Sequence, residues 1–421
     1  MQRRQLLRAA AAAGAAWVPI GRTAYAAVNE GGNAALPGQR RLIVVFLRGA
    51  VDGLSIVTPY AENEYYQARS GIALQRPGQA GGVLDLDGHF GLNPALAPLM
   101  PLWQGGRLAF VQAAGSADTT RSHFDAQDYM ESGTPGRKGT PDGWLNRLLG
   151  TLPPAPQGQA STTRGVSVGA VLPRIWSGRN PVANIASGAA STKPTLLDRP
   201  QVAQAFDSLY NGNDSVSQAY RQSQSSRHEM VNAMDPASMA REEKEANNGA
   251  PLPNGFPGDA QRLATLMRRD PNVQIAFMAL GGWDTHANQG GAQGQLSSRL
   301  QPLGQGLAEL ANGLGSTFND TTVLVISEFG RTLRQNGTGG TDHGHGNVMW
   351  VMGGNVAGGK VYGQWPGLQQ SALYEGRDLA VTTDFRAVLA GVCERQLRLP
   401  DSRMNDVFPA FGGPGLNTAR A

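Results

Sequence analysis

Short runs of almost wholly apolar, largely β-branched residues constrain this chain more than any other feature. Thr321-Thr-Val-Leu-Val-Ile326 and Arg41-Leu-Ile-Val-Val-Phe-Leu47 show no alternation of apolar and polar residues, so each reads as a strand buried on both faces. Arg107-Leu-Ala-Phe-Val-Gln-Ala113, Val273-Gln-Ile-Ala-Phe-Met-Ala-Leu280, Val348-Met-Trp-Val-Met352 and residues 165–170 read as further strands. Helical patterns lie between them. Residues 122–131 open with Ser122 as an N-cap and Asp125 three residues on, and Leu300, Leu303, Leu307, Leu310 and Leu314 form a stripe within 296–318. Residues 144–149, 259–269 and 383–397 are the other helices. Strands alternating with helices predict an α/β fold, a doubly wound, mostly parallel sheet with helices on both faces. Residues 60–105 look irregular apart from a helical patch at 94–103, and the polar stretch at about 201–247 reads as a peripheral helical insert. Residues 41–421 are expected to form a single domain carrying that insert.

The N-terminus is set aside from the fold. Arg3-Arg4-Gln-Leu-Leu, an Ala-rich apolar run and Ala24-Tyr-Ala26 have the layout of a cleaved leader. The paired arginines point to the twin-arginine export route, hence to a periplasmic or otherwise exported protein. The apolar run is short for a membrane anchor. Residues 27–40 read as a linker. Residues 1–26 hold Arg3, Arg4, Arg8 and Arg22 and no acid, so their removal lowers Lys+Arg from 36 to 32, equal to the 32 Asp+Glu. A formally neutral chain gives no reason to expect nucleic acid or a membrane surface as partner. The single cysteine, Cys393, excludes an intrachain disulfide and any multi-cysteine metal site.

Acids and histidines gather where strands should end. Glu328 follows the 321–326 strand, and Asp342, His343 and His345 arrive in the glycine-rich loop Gly340-Thr-Asp-His-Gly-His-Gly346. Asp284 and His286 follow the 273–280 strand, and Asp52 follows the first strand. Ligands of open α/β sheets collect at the carboxyl ends of strands. Imidazole and carboxylate are ligands for divalent ions, here one or two of zinc, manganese or calcium. Asp284 and His286, like His343 and His345, are spaced by two, so in extended backbone each pair points to one side. Were Asp52, Asp284, Glu328 and Asp342 to converge, each like-charge pair would cost about 4 kcal/mol at 4 Å and an effective dielectric of 20. Either a cation offsets this or the groups do not converge. Ser122, at a helix start that favours anions, is a candidate nucleophile, with Thr120 as its substitute. Arg121, Arg331 and Arg48 are candidates for holding an oxyanion.

These segments together (residues 42–52, Thr120 to Ser122 with His123, Gly281-Gly-Trp-Asp-Thr-His286, Ser327-Glu-Phe-Gly-Arg331 and Thr341-Asp-His-Gly-His-Gly346) resemble the exported "domain of unknown function 1501" family. That family is similar to the alkaline phosphatase and sulfatase superfamily. The resemblance implies an alkaline phosphatase-like sheet, with Asp52 as the first-strand metal acid and Ser122 or Thr120 as nucleophile. It implies Asp284 and His286 as the pair on one metal, Glu328 or Asp342 with His343 as the pair on the other, and His345 as a late ligand. The Asp-x-His spacing is shorter than in phosphatases, and Ser-Glu-Phe-Gly stands where a metal pair should follow the strand. Cys393 and Ser122 lack the Cys/Ser-x-Pro-x-Arg setting, so formylglycine chemistry is not expected. The function implied is an exported metal-dependent hydrolase of phosphate or sulfate esters, with a hydroxyl or metal-bound water as nucleophile and a small anionic ester as substrate. The alternative is a non-catalytic exported binding or assembly protein that keeps the fold, with or without a structural metal, and serves a protein partner.

Overall fold

In the computed structural model the apolar runs form strands that pair side by side. The structure describes residues 39–153, 163–188 and 243–420. The leader at 1–26, most of the linker and residues 201–242 of the expected insert lie outside the described residues; residues 243–247 are helical. The main sheet comprises β1 (Arg41–Leu47), β2 (Leu108–Gly115), β3 (Gly165–Val168), β4 (Ala183–Ile185), β5 (Ile275–Leu280), β6 (Thr321–Ile326), β7 (Asn347–Gly353), β8 (Lys360–Tyr362) and β9 (Thr383–Asp384). Its order is β8-β2-β7-β6-β1-β5-β3-β4, with β9 also paired to β2. β7 runs antiparallel to both neighbours, and the other pairings are parallel.

The alternate faces of β1 feed two separate cores. Ile43, Val45 and Leu47 pack with Leu263 and Met267 of α3 (Phe256–Arg269) and with Leu300, Leu303 and Leu307 of α4 (Gln295–Leu314). Leu42, Val44 and Phe46 pack with Trp144 and Leu148 of α2 (Trp144–Thr151) and with Val388 and Leu389 of α5 (Phe385–Gly391). Each such side chain, fully buried, contributes about 1.5–3 kcal/mol. Covering both faces explains why β1 has no polar alternation. The sheet is therefore mostly parallel with helices on both faces, as the alternating pattern predicts. Among the described residues no helix is long and apolar enough to cross a membrane.

Three departures from expectation are local. Residues 60–105 are not irregular throughout: Val57–Thr58, Leu84–Asp85 and Gly91–Leu92 form a small antiparallel sheet beside a helix at Asn63–Ala68. β7 reverses direction within an otherwise parallel sheet. The last expected helix changes at Val392–Gln396 into a π-turn.

Registry and connectivity position the site. Leu47 pairs with Leu280, and Phe46 with Ile326, so β1, β5 and β6 end together at one edge. From β1 the chain crosses to β2 on one side and then to β3 on the other. Such a reversal opens a crevice at the carboxyl ends of the strands.

Candidate metal centre

The exits of the three central strands are pinned to one another before any functional side chain is placed. Gly49 has φ +114°, and a Cβ there would lie 2.8 Å from the Asp284 nitrogen, so only glycine lets the two loops approach this closely. The Gly49 N–H donates to Glu328 Oε1 at 2.8 Å, and the Val51 N–H donates to Ser327 Oγ at 3.1 Å. The helix α1 (His123–Ser132) docks at both ends. Ser122 caps it, and Gly133 ends it in the left-handed conformation with its N–H on Tyr129 O. Glu131, in its last turn, forms a buried ion pair with Arg48 at 2.5 Å and accepts from the Ile175 N–H. His123, its first residue, faces Glu328.

Three imidazoles and one carboxylate then meet. His123 Nε2 lies 2.9 Å from His343 Nε2 and 3.5 Å from Asp284 Oδ2. His343 Nε2 is 3.2 Å from Asp284 Oδ1. His286 Nε2 is 3.0 Å from both Asp284 Oδ1 and His343 Nε2. One ligand atom each from His123, Asp284 and His343 can be chosen so that all lie within 4.8 Å of one another. Behind this group stand two more carboxylates. Glu328 Oε1 is 2.8 Å from His123 Nδ1, and Asp342 Oδ1 is 3.2 Å from His286 Nδ1. A carboxylate only accepts, so both Nδ1 atoms carry protons, and a neutral ring then presents a lone pair at Nε2.

The electrostatics follow from that arrangement. Burial opposes charge on His123, but its hydrogen bonds to Asp284 and Glu328 outweigh burial and raise its pKa to about 9. His343 goes the other way, lowered to about 4 by burial and by the positive charges of His123 and Arg331, against the pull of Asp284. Burial would raise Asp284, yet Arg331 and the three imidazoles hold it well below the ordinary carboxylate value. Glu328 is lowered too, with the His123 bond overcoming its burial. Two buried carboxylates thus hold a positive charge between them.

The geometry suits a small transition-metal ion. A tetrahedral ion bound at about 2.0–2.2 Å sets its ligand atoms about 3.3–3.6 Å apart. The two imidazole Nε2 atoms lie 2.9 Å apart, and each is 3.2 to 3.5 Å from one oxygen of the Asp284 carboxylate, Oδ2 for His123 and Oδ1 for His343. A carboxylate behind a ligating histidine is the usual way its ring is oriented, and Glu328 stands in that relation to His123. Calcium prefers six to eight oxygens, which this nitrogen-rich set does not offer.

Asp52 does not join the cluster. It is fully buried and receives two nitrogens of Arg69 at 2.5 and 3.0 Å, Ser55 Oγ at 2.6 Å and Gln289 Nε2 at 2.7 Å. The Gln289 carbonyl in turn accepts from Thr285 and Thr341, at 2.9 and 2.8 Å. Asp52 therefore braces the two loops that carry Asp284 and His343. His345 lies tilted against Tyr374, with ring centroids 4.6 Å apart, and burial lowers its pKa. Arg121 is tied to Glu375 at 2.6 Å and Asp378 at 2.8 Å. Ser122 is exposed and its Oγ accepts from the Asp125 N–H at 3.5 Å, while Thr120 Oγ1 accepts from the Ser122 N–H at 3.2 Å. Among the described residues neither hydroxyl hydrogen-bonds to the cluster. His123 is the member that sequence reasoning passed over. The available signal was its scarcity, as one of six histidines, at the first position of a helix that starts from a strand end.

No curated protein matches the chain. Among solved structures it resembles Ps i-CgsB in complex with k-i-k-neocarrahexaose, at 8% identity over 89% of this chain and 76% of that one, with a TM-score of 0.38. It also resembles a protein in the alkaline phosphatase superfamily from Vibrio parahaemolyticus (10% identity, 78% and 64% of the chains, TM-score 0.36). A third is the alkaline phosphatase of the Antarctic bacterium TAB5 (12% identity, 74% and 90%, TM-score 0.28). Likenesses this distant leave the sheet's own topology as the ground for the fold. The family described as "Protein of unknown function (DUF1501)" matches residues 110–408, well over half of the chain, and the protein belongs to that family.

Proposed function

We propose that this protein is an exported, metal-dependent hydrolase of phosphate or sulfate esters. The observation that carries the reading is the meeting of His123, Asp284 and His343 at the carboxyl edge of the sheet, with Glu328 and Asp342 behind the imidazoles. His123, Asp284 and His343 would hold the ion, zinc or manganese in preference to calcium, and it would supply Lewis acidity and positive charge toward an anionic ester. Glu328 fixes the His123 ring and tautomer, and Asp342 does the same for His286. Asp52, through Gln289, keeps the two ligand loops in step. Ser122, one residue before His123, is the proposed hydroxyl nucleophile, with Thr120 or water as substitute.

One observation favours the non-catalytic alternative. Arg121 and Arg331 are both consumed by internal partners, and Ser122 Oγ turns to its own helix, so neither nucleophile nor oxyanion holder is poised. A screen of phosphate and sulfate esters with zinc- and manganese-loaded protein tests the choice. Ester cleavage that is lost in Ser122→Gly, with the metal retained, supports a serine hydrolase, since glycine keeps most of the capping preference. No cleavage by metal-loaded wild type leaves the binding protein as the reading. Export rests on Arg3 and Arg4, and replacing both with lysine should leave the precursor in the cytoplasm. Normal fractionation of that variant would remove the twin-arginine route.

A further inference from the structure

The two oxygens of Asp284 face different company. Oδ2 faces His123, while Oδ1 accepts from Arg331 Nη2 and faces both His286 and His343, the last of which also meets His123 through its Nε2. From this asymmetry we infer that the centre takes a single divalent ion, on the His123 side, and that Arg331 is a built-in second cation on the His286 side. The inference rests on the metal reading above and deepens it.

Arg331 is held where a second ion would have to sit. Its side chain is fully buried, with Nε donating to Ala50 O at 2.7 Å, Nη1 to Thr341 O at 3.0 Å and Nη2 to Gly49 O at 2.9 Å. These carbonyls belong to the loop leaving β1 and to the loop that carries His343, so the guanidinium cannot swing aside without loosening both. Its Nη1 also lies 3.4 Å from His286 Nε2, the atom left with a lone pair once Nδ1 donates to Asp342. An ion bound at about 2 Å from both His286 Nε2 and Asp284 Oδ1 would press against this guanidinium and be repelled by it. An arginine stays charged at any working pH, so the repulsion is permanent.

Charge balance agrees. With His123 neutral, its proton displaced by the ion it ligates, Asp284, Glu328 and Asp342 bring three negative charges to the group, and Arg331 brings one positive. One divalent ion neutralises the remainder, whereas two would leave the group positive. The nearby Arg121 and Arg377 do not alter the count, because Glu375 and Asp378 match them.

The stoichiometry of zinc decides the matter without any assay of turnover. The full chain, loaded with excess zinc and desalted, should retain about one equivalent by elemental analysis. His123→Ala should lose it. His286→Ala should still bind one, roughly ten- to a hundredfold more weakly, as expected when an outer partner of a metal site is removed. Two equivalents in wild type, falling to one in His286→Ala, would overturn the single-ion inference and leave the metal reading intact. No retained zinc in wild type would overturn the metal reading, and this inference with it.

Discussion

Replacing Asp284 with asparagine removes the charge on which the whole cluster is hung. The side chain is 1% exposed and faces Arg331, His123, His286 and His343. Breaking a buried ion pair from one side costs about 3–5 kcal/mol, because the other charge is left without compensation. Unfolding entropy of about 2.1 cal/mol/K per residue gives about 0.8 kcal/mol per degree for a chain of this size, so Tm in chelator should fall by about 4–6 °C. Zinc adds a second signature. At a hundred times its Kd it should stabilise wild type by about 2.7 kcal/mol, or about 3 °C. The asparagine variant, lacking a ligand, should show no such rise. Calorimetry of both proteins in chelator and in zinc measures the two effects separately. A variant that melts like wild type in chelator refutes the buried-pair argument. One that keeps the full zinc-induced rise refutes the place of Asp284 in the centre.

Two other perturbations probe the surroundings. In chelator, His123 and His343 give pH dependences of opposite sign. The stability from His123, whose pKa is raised from 6.5 to about 9, is complete below 6.5 and lost as pH rises through 9. That from His343, lowered from 6.5 to about 4, is present above 6.5 and lost as pH falls toward 4. Denaturant melts of His123→Gln should therefore lose the decline between pH 6.5 and 9, on the order of 3 kcal/mol; an undiminished decline would show that another group causes it. Asp52→Asn should destabilise the protein by about 3–5 kcal/mol, because it strands the buried Arg69, while zinc content stays as in wild type. Loss of zinc from a folded Asp52→Asn protein would make Asp52 a ligand rather than a brace.

The central strands were legible because a strand buried on both faces must be apolar throughout, and few other structures need such runs. Strand direction was not, since an apolar run such as Val348-Met-Trp-Val-Met352 reads the same in a parallel or an antiparallel strand. The two-residue strands at Val57–Thr58, Leu84–Asp85 and Gly91–Leu92 are too short to show any period. At the site, Asp284, His286, Glu328, Asp342 and His343 stood out because they follow strands that end together. Asp52 stood out for the same reason. What diverts it is Arg69, the residue that ends the helix at Asn63–Ala68 and becomes a partner only after folding. The pairing of His343 with His345 assumed extended backbone. Gly344 packs against the Arg331 backbone and the chain bends at His345, whose ring lies with Tyr374. Ser122 drew attention as a cap, and its neighbour His123 was hidden by the same reading.

Anomalous diffraction at the zinc edge, from crystals grown with zinc, would locate the ion among these side chains. One strong peak per chain is expected, bounded by His123 Nε2, His343 Nε2 and the Asp284 carboxylate, with Glu328 against His123 Nδ1. A peak held by Asp52 or His345, or no peak between His123 and Asp284, would contradict that placement.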